Sequence, residues 1–361
     1  MGSTRVMSAA VLCGALAFVA GCGDNNSPSS GAGVSGTLNG AGSTFAAPIY
    51  QQIGSDLKGQ GLTVNYQPVG SGAGISQFES GTVDFAGSDP ALAAADTQKI
   101  SQKSAPIEIP FALGAITVSY NVPNVESGVK LDGQTVADIY LGTITSWNDP
   151  AIAKQNPGMS LPATKITVVH RSDSSGTTEG FTGFLQDYSS EWKSHVGSDK
   201  EVKWPTGTGA KGNDGVAAAV KQTEGGIGYV EQAYALQNNF TFADVKNRSG
   251  EYVAPTLAST SAAADGVDIP ADLGISTINS PSPKAYPIVS QTFAITYKDP
   301  CKAGLDSNQA TDLKFLINHL VSSNGQATIK KLSYAPIPTT LKSKDKSAID
   351  GMQCNGTAIG S

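Results

Sequence analysis

Ile166-Thr167-Val168-Val169-His170 runs into Arg171-Ser172-Asp173-Ser174-Ser175-Gly176-Thr177, and Phe181, Phe184 and Leu185 follow at i, i+3 and i+4. The first run is β-branched and reads as a strand, and the last spacing puts three side chains on one face of a helix. Between them lies a loop of hydroxyls and glycine at a helix start. Helix N-termini leave N–H donors free and carry partial positive charge, so such a loop suits a tetrahedral oxyanion. Two earlier segments repeat the pattern, Gly40-Ala41-Gly42-Ser43-Thr44-Phe45 and Gly70-Ser71-Gly72-Ala73-Gly74. Each alone reads more plainly as an N-cap and tight turn. Three together, with Arg171, point to an anion cradle. Arg171 would contact oxyanion oxygens or be held by Asp173, with a surface ion pair as the plainer reading. Asp89 ends the strand-like run Thr82-Val83-Asp84-Phe85-Ala86-Gly87-Ser88, at a cleft edge or simply as a turn or cap residue.

Working outward, strand-like and helix-like runs alternate. Leu62-Thr63-Val64-Asn65-Tyr66 and Gly114-Ala115-Ile116-Thr117-Val118-Ser119-Tyr120 read as strands; Phe45, Ile49, Ile53 and Leu57 recur every four residues. Residues 216–220 and 313–320 resemble that helix, whereas 247–282 has little periodicity and reads as surface loops. The expected class is α/β, and 361 residues is length enough for about two domains.

Charged residues are 15% of the chain and the net charge is −6, with no basic block, so nucleic acid is a poor candidate partner. Gly and Pro together reach about 17%, below the low-complexity range. Residues 1–21 read as a lipoprotein signal peptide: Arg5, an apolar run over 6–20 too short to span a bilayer, then Val19-Ala20-Gly21-Cys22, with Cys22 as the lipidated residue. Residues 22–36, rich in Gly, Ser, Asn and Pro, read as a flexible tether. In an oxidising compartment Cys301 and Cys354 form an even pair and a disulfide is expected, the alternative being two unpaired buried thiols.

Gly40 to Tyr50, Val64-Asn65-Tyr66 leading to Gly70-Ser71-Gly72, Val83-Asp84-Phe85 leading to Ser88-Asp89, Asp138-Ile139-Tyr140-Leu141-Gly142, Trp147-Asn148-Asp149, residues 171–177, Lys211-Gly212-Asn213-Asp214-Gly215 and Gly226-Ile227-Gly228-Tyr229-Val230-Glu231 stand in one order. In that order they resemble the phosphate-binding protein of bacterial high-affinity phosphate ABC transporters, over residues 36–338. The resemblance implies a two-lobed periplasmic-binding-protein fold (type II) that closes on its ligand in the interlobe cleft. Residues 37–110 and 288–361 would form lobe 1 and residues 111–287 lobe 2, with crossings near Pro110 and Pro287. It implies anion contacts from Thr44, Phe45 through its N–H, Ser71, Asp89, Arg171, Ser175, Gly176 and Thr177, with Asp173 holding the Arg. Ser174 stands where that motif often has Gly.

The implied activity is high-affinity binding of inorganic phosphate outside the cytoplasmic membrane and delivery to the permease subunits. The protein would be a monomer anchored through lipid on Cys22, with no cofactor, metal or catalysis. Hydrogen phosphate keeps a proton that sulfate lacks, so Asp89 would accept a hydrogen bond from one and repel the other.

The rival readings are a secreted phosphatase and a receptor for another tetrahedral oxyanion. His170, His195 and His319 are far apart in sequence and no metal-binding or nucleophile motif occurs. Gly207-Thr208-Gly209-Ala210-Lys211-Gly212 satisfies GxGxxG but follows a poor strand, so it is expected to be a turn into a helix capped by Asn213 or Asp214. Trp147, Trp192 and Trp204 are expected in packing.

Overall fold

The computed structural model describes residues 34–360. The leader and Cys22 lie outside the described residues. The main sheet contains β1 (Thr37–Gly42), β2 (Thr63–Pro68), β3 (Phe85–Ser88), β4 (Pro106–Asn121), β5 (Thr167–Arg171), β6 (Thr208–Ala210), β7 (Gly226–Glu231) and β8 (Val289–Tyr297). Their spatial order is β2-β1-β3-β8-β4-β7-β5-β6, with the short strands Thr241–Phe242 and Ala335–Pro336 also paired to β4. Parallel neighbours need crossover helices, and the chain supplies α1 (Ala47–Lys58) between β1 and β2 and α2 (Ser71–Ser80) between β2 and β3. In the other half, α3 (Gly176–Tyr188) follows β5 and α4 (Gly212–Gln222) lies between β6 and β7.

β4 joins the halves. Its first part pairs antiparallel with β8 and its last part, Ile116 to Asn121, pairs antiparallel with β7. Residues 109–120 are all buried, which is why this stretch is almost continuously apolar. The ladder with β8 shifts register between Thr292 and Phe293, opposite Pro110 and Ala112, leaving Phe111 without a partner in register. Proline lacks the N–H that a regular ladder would use there, so the irregularity falls where the strand can tolerate it. The carboxyl ends of β1, β3 and β5, from both halves, lead into the polar loops, the usual place for ligands in open α/β sheets.

Several sequence expectations need adjustment. Gly40, Ala41 and Gly42 belong to β1, so the first loop is only four residues, Ser43 to Ala46. Val34 packs on the core, and the amides of Ser35 and Gly36 donate to Asp312, so the expected tether does not extend to residue 36. Residues 247–282 include a helix, Leu257–Ala262, started by a Thr256/Ser259 capping box. Lys211, not Asn213 or Asp214, stands at the N-cap of α4 without a side-chain cap bond, and the Asn213 side chain bonds Thr44, Thr177 and the Glu231 amide instead. Cys301 and Cys354 are bonded, with Cα atoms 4.9 Å apart.

Candidate anion-binding site

The Ser43–Phe45 segment is held by its carbonyls. Tyr66 Oη donates to Ser43 O at 3.0 Å, Tyr234 Oη to Thr44 O at 2.7 Å and Tyr334 Oη to Phe45 O at 2.6 Å. In a planar trans peptide the N–H points opposite the preceding C=O, so pinning three carbonyls turns the amides of Thr44, Phe45 and Ala46 the other way. The turn requires Gly42, whose φ is +145° and whose β-carbon would lie 2.0 Å from Gly87 O.

Asp89 lies just beyond β3 and is buried. Ser43 Oγ donates to its Oδ1 at 2.6 Å and Thr292 Oγ1 to the same oxygen at 3.0 Å. Gln291 Nε2 holds its carbonyl at 2.7 Å. Oδ2 takes no hydrogen bond from the described residues and faces Gly176, where an added β-carbon would stand 2.7 Å away. Burial pushes this carboxyl up to about 7, against the two hydroxyls and the Arg171 charge.

Arg171 is buried at the end of β5. Its Nε donates to Asp173 Oδ1 at 2.7 Å and its Nη2 to Oδ2 at 2.6 Å, a two-pronged pair. The Gly212 amide also donates to Asp173, at 3.1 Å. Burial would raise the Asp173 carboxyl, but the Arg171 hydrogen bonds and charge outweigh it and hold it below the usual range. The guanidinium edge with Nη1 stays clear of Asp173 and makes a long 3.5 Å contact to Thr177 Oγ1.

Ser175 caps α3, its Oγ accepting from Thr178 N at 3.1 Å, while its own amide donates to Lys200 O at 3.0 Å. The amide of Gly176 donates to Ser71 Oγ at 3.2 Å. Thr44, Phe45, Ser71, Asp89, Arg171, Asp173, Ser175, Gly176 and Thr177 thus lie in one connected constellation, built from strand ends, loops and helix starts at both halves of the sheet. Donors dominate it, with one cation whose charge Asp173 offsets and one carboxylate.

Three contributors escaped sequence reasoning: Asn213, which was read as a helix cap, and Ser43 and Thr292, which orient Asp89. For Thr292, inside a buried strand run, no local signal existed; for Ser43 the loop pattern itself was the signal. His170 is not among these residues: its ring stacks on Trp204 with centroids 4.6 Å apart. Trp147 and Trp192 are fully buried in the core. Among the described residues no group of His, Cys, Asp and Glu is placed to hold a metal ion.

This two-lobed α/β architecture, with its loops converging at strand ends, is that of the PBP superfamily, whose domain model matches residues 27–319. The phosphate-binding protein PstS of Xylella fastidiosa (strain 9a5c) is 39% identical over 308 residues, 84% of this chain and 82% of that protein. PstS 3 of Mycobacterium tuberculosis (strain CDC 1551 / Oshkosh) is 34% identical over 366 residues, 95% of this chain and 97% of that protein. The chain belongs to the PstS family of phosphate-binding proteins. A periplasmic phosphate-binding protein, PfluDING, solved with phosphate bound, has the same fold, with a TM-score of 0.71 at 23% identity over 90% of this chain and 96% of that one. A phosphate-binding protein from Stenotrophomonas maltophilia aligns with a TM-score of 0.68 at 19% identity, covering 87% and 94%.

Proposed function

We propose that this chain binds inorganic phosphate noncovalently, outside the cytoplasmic membrane, and hands it to the permease of an ABC transporter. The ligand sits between a lobe formed by 37–110 and 288–361 and a second formed by 111–287. Thr44, Ser71, Arg171, Ser175 and Thr177 donate through side chains, Phe45 through its backbone amide, Gly176 adds a backbone contact, and Asp173 holds Arg171. Membership in the PstS family and the arrangement of donors support this reading.

The observation that carries it is Asp89. One of its oxygens is satisfied by Ser43 and Thr292, and the other is aimed among donors at Gly176. A bound anion with a proton of its own completes this arrangement. A fully deprotonated anion leaves two acceptors facing each other, and an unpaired buried acceptor costs about 1 to 3 kcal/mol before charge repulsion. Phosphate is therefore favoured over sulfate.

A protein so built releases its ligand unchanged, and its activity is binding alone. It is a monomer held at the membrane by lipid on Cys22, with 1–21 removed; no helix of the described residues is long and apolar enough to cross a membrane. Calorimetry on protein stripped of ligand tests the reading: phosphate binds tightly and sulfate does not. Equal affinity for the two anions overturns the role of Asp89, and turnover of a chromogenic phosphate ester that disappears on removing a named nucleophile overturns the absence of chemistry.

A further inference from the structure

Asn213 is fully buried at the start of α4 and bonds two residues whose role was expected from sequence, Thr44 and Thr177. Its Oδ1 accepts from the Glu231 amide at 2.9 Å, which fixes the orientation of the side-chain amide and leaves Nδ2 to donate. Nδ2 donates to Thr44 Oγ1 at 2.9 Å and to Thr177 Oγ1 at 3.3 Å, and the Asn213 backbone amide donates to Thr44 Oγ1 at 3.2 Å.

A hydroxyl has two lone pairs and one proton. On Thr44 both lone pairs are taken, by the two Asn213 donors. On Thr177 they are taken by Asn213 Nδ2 and by the long contact from Arg171 Nη1. Ser71 is treated in the same way by the amides of Gly176 and Asp89, at 3.2 and 3.4 Å. In each case the remaining function is the proton.

We infer that Asn213 is a positioning residue that fixes the polarity of Thr44 and Thr177, saturating their lone pairs so that both hydroxyls present a proton to the bound anion. An uncharged amide is suited to this, because it orients two donors without adding charge beside Asp89 and the ligand. It also spans both sides of the cleft, so the hydroxyls are set in their donating sense as the sides meet. The inference rests on the reading of Thr44 and Thr177 as anion contacts.

The test is phosphate calorimetry on the full mature chain, with Asn213→Ala, Thr44→Val and the double variant, and with melting curves of the ligand-free proteins to verify folding. Asn213→Ala is expected to weaken phosphate binding about tenfold, from the loss of orientation at two hydroxyls. In the Thr44→Val background the loss from Asn213→Ala shrinks by at least about threefold, the coupling expected of a residue acting through Thr44. A residue that merely supported the fold would cause the same loss in both backgrounds, and equal losses overturn the inference, as does Asn213→Ala binding like the wild type. Asn213→Asp, nearly identical in shape, provides the second reading if the alanine variant melts early. Its carboxylate accepts where Nδ2 donated, so phosphate affinity falls at neutral pH, and unchanged affinity overturns the inference. Thr44→Val binding phosphate like the wild type removes instead the site assignment beneath it.

Discussion

The amide of Gly72 donates to the carbonyl of Ser174 at 3.2 Å, and a β-carbon on Gly72 would stand 2.1 Å from Ser174 Oγ and 2.7 Å from its Cβ. Ser174 lies in a loop of one half of the sheet and Gly72 in the first turn of α2 in the other, so the halves touch here only because Gly72 has no side chain. Gly72→Ala is expected to hold the loops apart and weaken phosphate binding by about tenfold, the range set by one lost bond and a local shift. Ser174→Gly in the same chain removes the obstructing atoms and restores affinity to within about threefold, measured by calorimetry. Failure of the second change to rescue the first would show that the contact does not govern closure.

On the proposed reading, Asp89 links ligand choice to stability. Its carboxyl is raised from an ordinary 3.8 to about 7, so its contribution to stability is complete below the lower value and is lost as pH rises through the upper one. The ligand-free wild type is therefore expected to lose stability between about pH 4 and pH 7 from this group. Asp89→Asn removes that loss, so its stability relative to wild type rises from pH 5 to pH 8. The same variant narrows the gap between phosphate and sulfate. Denaturant melts at pH 5 and 8 and paired titrations measure both, and a melting difference independent of pH would refute the linkage.

Arg171 and Asp173 form two parallel bonds that an ammonium group cannot reproduce. Arg171→Lys keeps the charge but loses the planar fork and the edge turned to Thr177. Phosphate affinity is expected to fall about a hundredfold, in line with charged hydrogen bonds at roughly 1.5 to 3 kcal/mol each. Retention of wild-type affinity would mean that charge alone is used.

The Cys301–Cys354 bond closes 53 positions of chain onto the segment after the last long helix. Replacing both with Ser is expected to lower unfolding free energy by up to about 4 kcal/mol, from the restored freedom of the unfolded chain. Phosphate affinity should be unchanged, because neither residue belongs to the anion site. Equal stability of the oxidised protein and the double variant would show that the bond adds nothing.

Much of the fold was legible because its signals are local. The β-branched run 166–170 and the apolar spacing of Phe45, Ile49, Ile53 and Leu57 each declare an element within a few turns of chain, and all but Ile166 and Phe45, which stand just outside, lie in the expected elements, β5 and α1. The loop residues were legible for the same reason: glycine and hydroxyls cluster where a strand must give way to a helix. Asn213 was misread by that logic. A polar residue at a helix start is usually its cap, and nothing nearby announces a bond to Thr44, 169 positions earlier.

Periodicity and turn chemistry along the chain are sufficient to set which segments become strands, helices and hydroxyl-lined loops, since those choices depend on neighbours a few residues away. Which lone pairs of Thr44 and Thr177 are occupied, which Asp89 oxygen is satisfied, and which tyrosines turn the Thr44–Ala46 amides depends on partners such as Thr292, 203 positions from Asp89, and Tyr334, 289 from Phe45. Those partners arrive through the order of strands in the sheet, and a hydrogen bond senses distance and direction in space, which spacing along a chain does not encode.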